Sequence, residues 1–419
     1  MSATSHQRIT RLASLTAVHR AFHWLHLHQP QIRNWLLEMV RIPAPPFGEQ
    51  ARAQWFLDRF LSLGLHNVHL DEEGNALAEL APESAEAHPS PVILLSAHLD
   101  TVFPADITCE PREEPGTSRI YAPGICDNAA GLSALLSIAA ALRYSHINPP
   151  ATILFAANVG EEGEGDLRGM RHLLERGPYR DRIATAIALE GSGTAVVTRA
   201  LGSLRFRITI SGQGGHSWSD AGTPNPILLL SRALTAISEL PLPSSPLTTL
   251  NVGHISGGTS VNSIPSSATA LVEIRSSEFY ALRKAALDLR HLLREMFQDL
   301  ETTHQAPSLR LETIGDRPAA SLPADSVLLS SLRSVDRHLS LKTELRLGST
   351  DANLPLSLGI PALAIGTGGA GGGIHTLDEW YDPAGREMAL RRIVLLLLSM
   401  TQIASQIAPD PTSPATSRP

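Results

Sequence analysis

Short apolar runs that stop at a glycine and a polar, metal-capable side chain recur along this chain, and they constrain its fold more than any other feature. They read PVILLSAHLD through His98, GICDNAAG around Asp127, ATILFAANVGEEGEG up to Glu161 and Glu162, IATAIALEGSG at Glu190, and PALAIGTGGAGGGIHT ahead of His375. An apolar run of about five to eight residues bounded by such breakers is how a strand buried on both faces reads. Between Val92 and Glu190 the strands alternate with helical patterns: strand 92–97, helix 129–143, strand 152–158, helix 167–176, strand 183–189. That alternation predicts an α/β fold with a mostly parallel sheet and helices on both faces. Ligands of such sheets collect at the carboxyl ends of the strands. His98, Asp127, Glu162, Glu190 and His375 would all lie there, and two histidines with three carboxylates suit a pair of zinc-like divalent ions.

The chain has 419 residues, enough for two domains. After Gly193 the texture changes. Residues 204–212 alternate as a strand, 225–240 form an amphipathic helix, 248–256 and 269–276 are strands, 279–300 is a long helix, and a last strand lies near 308–314. That order is the β-α-β-β-α-β of a ferredoxin-like unit. The apolar pattern of the first part then returns at Ala362–Ile365. The expectation is a discontinuous catalytic, metal-binding domain, 1–199 and 313–419, interrupted by an α+β domain at 200–312. Ahead of the sheet, Ile9–Leu65 predicts two helices broken at Ile42-Pro43-Ala44-Pro45-Pro46. His19, His23, His26 and His28 fall on the first of these without a carboxylate neighbour in sequence, which predicts a solvated or partner-facing surface. The Pro-, Ser- and Thr-rich end, Ala408–Pro419, is expected to be disordered.

With 43% hydrophobic and 18% charged residues the composition is that of a globular protein, and a net charge of −7 offers no basic stripe, so no nucleic-acid partner is expected. Cys109 and Cys126 cannot build a disulfide framework, and no C-x-x-C pair exists for a thiolate site. Cys126 reads as a buried packing residue, and reducing, cytoplasmic surroundings are the simplest expectation. Residues 1–20 contain no apolar leader, and the run Ile393–Met400 is too short to span a bilayer, so no membrane partner is expected.

His98 and Asp100 are two apart at a strand end and so share a face. A metal-bound histidine usually gives its second ring N–H to a carboxylate, and Asp100 stands in place to accept it. Asp127 precedes a helix and could cap it; its two oxygens could equally bridge two cations about 3.5–4 Å apart. Glu161 and Glu162 can divide labour, Glu162 as ligand and Glu161 as the base that takes a proton from a water acidified by metal. Gly366-Thr367-Gly368-Gly369-Ala370-Gly371 matches a dinucleotide fingerprint, but no helix opens after it, and the motif means nothing without that helix.

Taken together, His98-Leu99-Asp100, Gly124 with Asp127-Asn128, Glu161-Glu162-Gly163, Leu189-Glu190-Gly191 and His375 resemble the dinuclear zinc metallopeptidase and deacylase superfamily. Aminoacylase, acetylornithine deacetylase, succinyl-diaminopimelate desuccinylase, carboxypeptidase G and peptidase T-like enzymes belong to it. The likeness runs from about Pro43 to Asp382. It implies an α/β catalytic domain with an inserted ferredoxin-like lid that is often the dimer interface. It also implies two Zn2+ per chain, with Co2+ or Mn2+ as alternatives: His98, Asp127 and Glu190 at one ion, Asp127, Glu162 and His375 at the other. Asp100 would support His98, Glu161 would act as general base and then acid, and the peptide after Asp127 is often cis. Gly214-Gly215-His216-Ser217 resembles the lid histidine that steadies the oxyanion, in dimeric members from the neighbouring subunit. Asn262 and Arg275 resemble residues that grip a substrate carboxylate.

The implied function is hydrolysis of an amide bond in a small peptide or N-acyl amino acid, by a homodimer formed through residues 200–312. Glu190 points towards deacylases and carboxypeptidase-like members. The run Glu161–Gly169 and Ser349-Thr350-Asp351-Ala352-Asn353 point towards the peptidase T-like branch, so the substrate stays open. A non-catalytic peptide- or amino-acid-binding protein of the same fold would predict a damaged ligand set. A phosphoesterase would want basic residues at the crevice, and the ligand segments carry few.

Overall fold

Val92–His98 and Thr152–Asn158 are buried at every position. Side chains alternate between the two sides of a strand, so unbroken burial means that both faces of the sheet are covered. The structure, a computed structural model, describes residues 3–83, 90–298 and 307–407, which leaves the tail from Ala408 outside the described residues. Contacts divide the chain into a large unit, from Met1–Thr198, Ser321–Arg346 and Thr350–Pro419, and a small one, from Arg199–Ala320 with Leu347–Ser349.

In the large unit the sheet runs His66–Leu70, Ala76–Leu80, Thr152–Asn158, Val92–His98, Ile183–Leu189, Ala362–Ile365 and Ala195–Ala200. The four middle strands are mutually parallel, and antiparallel strands flank them. Parallel neighbours place all their carboxyl ends on one edge, which is where His98 stands and where Glu162, Glu190 and His375 follow. The hairpin His66–Leu70 to Ala76–Leu80 escapes a sequence reading because its first strand is largely exposed. Its turn is built by Asp71, whose Oδ1 accepts the N–H groups of Glu73, Gly74 and Asn75.

The first expected helix is in fact three: Ala3–Ala13, Thr16–Leu27 and Gln29–Val40. The chain breaks before Pro30, which sits in the first turn of the third helix, where its missing N–H costs nothing. His19 and His23 are exposed, as is His26, whose Nδ1 lies 2.9 Å from Glu387. That carboxylate comes from the far end of the chain, beyond the reach of local reading. His28 stacks on Trp24 with ring centroids 4.2 Å apart. Ile393–Met400 is the middle of a 22-residue helix, Arg386–Ile407. By length and composition alone, that helix and the stretch Ile125–Tyr144 could cross a membrane, yet 78% and 94% of their apolar windows are buried inside the protein. Both are core helices.

The small unit has strands Gly202–Ser211, Thr248–Gly257, Ser267–Ser276 and Ser308–Arg317, with helices Pro226–Ser238 and Phe279–Gln298 between them. All its strand pairs are antiparallel, in spatial order fourth, first, third, second. Leu204, Phe206, Ile208 and Ile210 alternate onto the face that packs against Leu230, Ala233 and Ile237 of one helix and Leu282, Leu289 and Leu293 of the other. Asn225 caps the first helix, its Oδ1 accepting from Ile227 N at 2.9 Å, and Pro226 follows at the first helical position. The last strand continues to Arg317, past the expected end near 314, because a register shift between Thr313 and Gly315 interrupts the alternation that marks it.

Candidate functional site

His98, Glu162 and Glu190 leave the main sheet at one edge, and Asp127 and His375 join them from loops next to a separate small sheet. His98 is the last residue of its strand, and Glu190 follows Leu189 directly, its N–H bonded to Ile365 O of the neighbouring strand. Asp127 lies in a loop of non-helical backbone (φ −113°, ψ 95°) ahead of the helix Gly131–Tyr144, and the Asp127–Asn128 peptide is cis. Its side chain therefore does not cap that helix. Asn128 takes the cap position instead: its Oδ1 accepts from Gly131 N and Gly191 N, and its Nδ2 donates to Leu189 O. Gly131 must be glycine, since a Cβ there would stand 2.1 Å from Asn128 Oδ1. The dinucleotide-like run ends not in a helix but in the short strand Ala370–Gly372, paired with Trp380–Asp382. Gly371 lies so close over Cys126 that a Cβ would come within 2.3 Å of Sγ. Cys126 is fully buried, and burial pushes its thiol up to about 11.

The side chains converge on Asp127. His98 Nε2 is 3.1 Å from its Oδ1, and His375 Nε2 is 3.2 Å from its Oδ2. Glu190 Oε1 lies 3.4 Å from His98 Nε2, and Glu162 Oε1 lies 3.0 Å from His375 Nε2. Donor atoms of His98, Asp127 and Glu190 all lie within 4.8 Å of one another, as do those of Asp127, Glu162 and His375, and those of His98, Glu161 and Glu162. His98 Nδ1 donates to the main-chain oxygen of Asp100 at 3.0 Å, while the Asp100 carboxylate is 3.6 Å away. The expected carboxylate–histidine bond is thus made chiefly by the backbone. The Asp100 carboxylate instead accepts the N–H groups of Glu161 (2.9 Å) and Glu162 (2.7 Å), so one residue fixes both the imidazole and the paired glutamates.

These donors suit a metal. With Nδ1 occupied as donor, His98 Nε2 presents a lone pair to carboxylate oxygens, and His98 Nε2, Asp127 Oδ1 and Glu190 Oε2 are buried without a hydrogen-bond partner among the described residues. Lone pairs facing one another in a buried site are compensated only by a cation between them. With no ion between these groups a proton takes the cation's place, and the titration shifts have that sign. Burial alone would lower His98, yet Asp100, Asp127 and Glu190 hold it well above the ordinary histidine range. Asp127 and Glu162 raise His375 to about 10. Asp127 is held low by the two imidazoles against the effect of burial. Burial pushes Glu190 up to about 7, with the charges of Asp127 and Asp351 adding to it.

Sequence reading missed Glu379, a fully buried acid whose carboxylate accepts N–H groups from Gly124, Cys126 and Asp127. Burial raises it to about 7 against those bonds. Its signal was slight, an acid four positions after His375. Asp351, in the Ser349–Asn353 run, is also buried, and its carboxylate accepts from Asn158 Nδ2 at 2.8 Å.

The small-unit candidates are not gathered at one place. His216 is exposed on a two-residue strand paired with Ser263–Ile264; its Nδ1 accepts from Trp218 N at 3.1 Å, and Ser217 N bonds to Asn262 O. His216 and Asn262 therefore lie together at one short two-stranded ribbon. Arg275 does not join them. It lies eight positions beyond Ser267 on an extended strand, about 26 Å at the usual rise. Its guanidinium forks onto Glu273 at 2.7 and 3.0 Å. That spacing along the strand speaks against a joint grip by Asn262 and Arg275 of one chain on one carboxylate.

A model of Peptidase family M20/M25/M40 matches residues 94–400. The chain belongs to this family. A probable carboxypeptidase of Aspergillus clavatus is 33% identical over 248 residues, 54% of either chain. The chain spans about half the length of the curated relatives it matches, 48% in a second probable carboxypeptidase, from Aspergillus flavus. Among solved structures, the dipeptidase Dug1p of Saccharomyces cerevisiae superposes with a TM-score of 0.72 at 14% identity, covering 92% of this chain and 98% of that one. A tripeptidase from Staphylococcus aureus gives 0.66 at 22% identity, covering 90% and 98%. At such identities these structures speak for the M20 fold alone.

Proposed function

We propose that this M20-family protein is a metal-dependent hydrolase of an amide bond in a small peptide or N-acyl amino acid, and that Glu161 is its general base. The observation that carries the reading is Asp127, set between His98 and His375 with one oxygen towards each. His98, Asp127 and Glu190 would hold one divalent ion and Asp127, Glu162 and His375 the other, zinc being the expected metal and Co2+ or Mn2+ alternatives. When bound, such a pair polarises a carbonyl and acidifies water. Glu161 takes the proton of the attacking water and returns it to the leaving amine, while its backbone N–H is kept in place by Asp100. His216 and Asn262 are proposed as substrate contacts, His216 as the oxyanion donor. A homodimer built on the small unit is part of the proposal, with Asn262 of one copy and Arg275 of the other meeting one substrate carboxylate. A cytoplasmic setting remains part of the proposal.

The relatives named as carboxypeptidases, and the intact donor set, favour an enzyme over a peptide-binding protein of the same fold. The test is Glu161→Gln assayed on dipeptides, tripeptides and N-acetyl amino acids, with phosphate esters as control. Turnover is expected to fall by at least about a thousandfold, beyond what general acid–base catalysis alone usually contributes at its lower end, with two ions still bound per chain. Near wild-type turnover in that variant would remove Glu161 from the mechanism, and hydrolysis of the phosphate esters alone would replace the substrate class.

A further inference from the structure

Glu379 is fully buried, and its carboxylate does one observable thing. Oε2 accepts Gly124 N at 2.9 Å, and Oε1 accepts Cys126 N and Asp127 N at 2.7 Å each. All three donors belong to the loop that carries the carboxylate lying between the two imidazoles. Glu379 itself is held from the other side. Its N–H bonds to Thr376 O and its carbonyl accepts from Ala122 N, while the next residues, Trp380 and Tyr381, pair with Tyr121 and Ile120. Thr376 N in turn bonds to Gly373 O, closing the turn that bears His375. One side chain thus ties the Asp127 loop to the His375 turn.

We infer that Glu379 is a positioning residue for metal binding, holding Asp127 in register with His375 so that its two oxygens face opposite imidazoles. The inference rests on the reading of this cluster as a metal centre. The chemistry favours a carboxylate at 379 over its neighbours in size. Only an ionised carboxylate offers acceptors to three N–H groups on two sides. Glutamine keeps the length but turns an NH2 towards one of those donors. Aspartate keeps the charge but withdraws both oxygens by about one bond length, roughly 1.5 Å. Residues that hold metal ligands in this way typically contribute about 10- to 100-fold to metal affinity.

The test measures metal binding apart from turnover. Zinc affinity of the full-length wild type, Glu379→Gln and Glu379→Asp is read by competition with a chromophoric chelator, alongside thermal melting with and without zinc. The expected result is zinc affinity weakened about 10- to 100-fold in Glu379→Gln. Its metal-free melting temperature would stay close to wild type, and its zinc-induced shift would shrink. Glu379→Asp is expected to lose affinity as well, since reach is part of the argument. Wild-type affinity in both variants would overturn the inference. So would a lowered metal-free melting temperature with an unchanged zinc-induced shift, or a Glu379→Gln protein that fails to fold even in excess zinc; either makes Glu379 a residue of the fold only. A wild type that binds no zinc at all would sink the metal-centre reading itself, a different failure and a distinguishable one.

Discussion

Asn128 is a single side chain that joins three segments. Its amide donates to Leu189 O at 2.9 Å and accepts from Gly131 N at 3.1 Å and Gly191 N at 3.0 Å, so the Asp127 loop, the following helix and the turn after Glu190 share one buried hub. Replacing it with alanine strips three buried backbone groups of their partner. Each such group costs about 1–3 kcal/mol when left unmet, though water entering the gap recovers part of this. Asn128→Ala is therefore expected to lower unfolding free energy by about 2–4 kcal/mol, read by denaturant titration of the metal-free protein. A change under about 0.5 kcal/mol, the range of ordinary surface substitutions, would show that the hub carries no weight. The contrast with Asp127 explains what the sequence could tell. Asp127 was legible because an acid beside Gly124 ahead of an apolar helix is already a chemical statement. Asn128 and Glu379 act by accepting backbone N–H groups from segments up to 255 positions away, and no periodicity or spacing records such a bond.

At the scale of elements, the buried strands were readable because their apolar runs are shorter than most helices and stop at glycine and polar residues. The helix break at Ser14 was not, since it carries no strong stop signal, whereas the one at His28 was marked by Pro30 two positions on. Arg275 shows the same limit inside the small unit. An arginine on an alternating strand can serve a ligand or a neighbour, and here the neighbour is Glu273 two positions away. Arg275, Arg205 and Ser203 surround that carboxylate and, against its burial, hold its pKa at about 2 rather than 4.5. The sign follows from a depressed folded-state value. The stabilisation is complete above pH 4.5 and is lost as pH falls through 2. Glu273 is 23% exposed, so its contribution at neutral pH is at most about 3 kcal/mol. Glu273→Gln should therefore destabilise the protein at pH 7 and differ from wild type by less than half as much at about pH 3. An equal gap at both pH values would mean that packing, and not charge, sets the effect.

For the whole molecule, what matters is that every donor of the proposed centre belongs to one unit. His98, Asp127, Glu161, Glu162, Glu190 and His375 all lie within Met1–Thr198 or Thr350–Pro419, while His216, Asn262 and Arg275 lie within Arg199–Ala320. A ligand that binds only the folded form stabilises what it contacts by mass action. Chelation should then act unevenly along the chain. In hydrogen exchange of the intact protein, stripping the metal is expected to raise exchange in the segments that leave the strand ends, around 98–101, 122–131, 159–163, 190–193 and 366–379. The four strands and two helices of the small unit should hold their protection, because their core of Phe206, Ile208, Leu230 and Leu289 is independent of those loops. Turnover should vanish on chelation and return with zinc, cobalt or manganese. If exchange rose equally in both units, the metal would be holding the two together rather than ordering one edge of one sheet. The division of labour drawn between them would then be wrong, although the ligand assignment would survive.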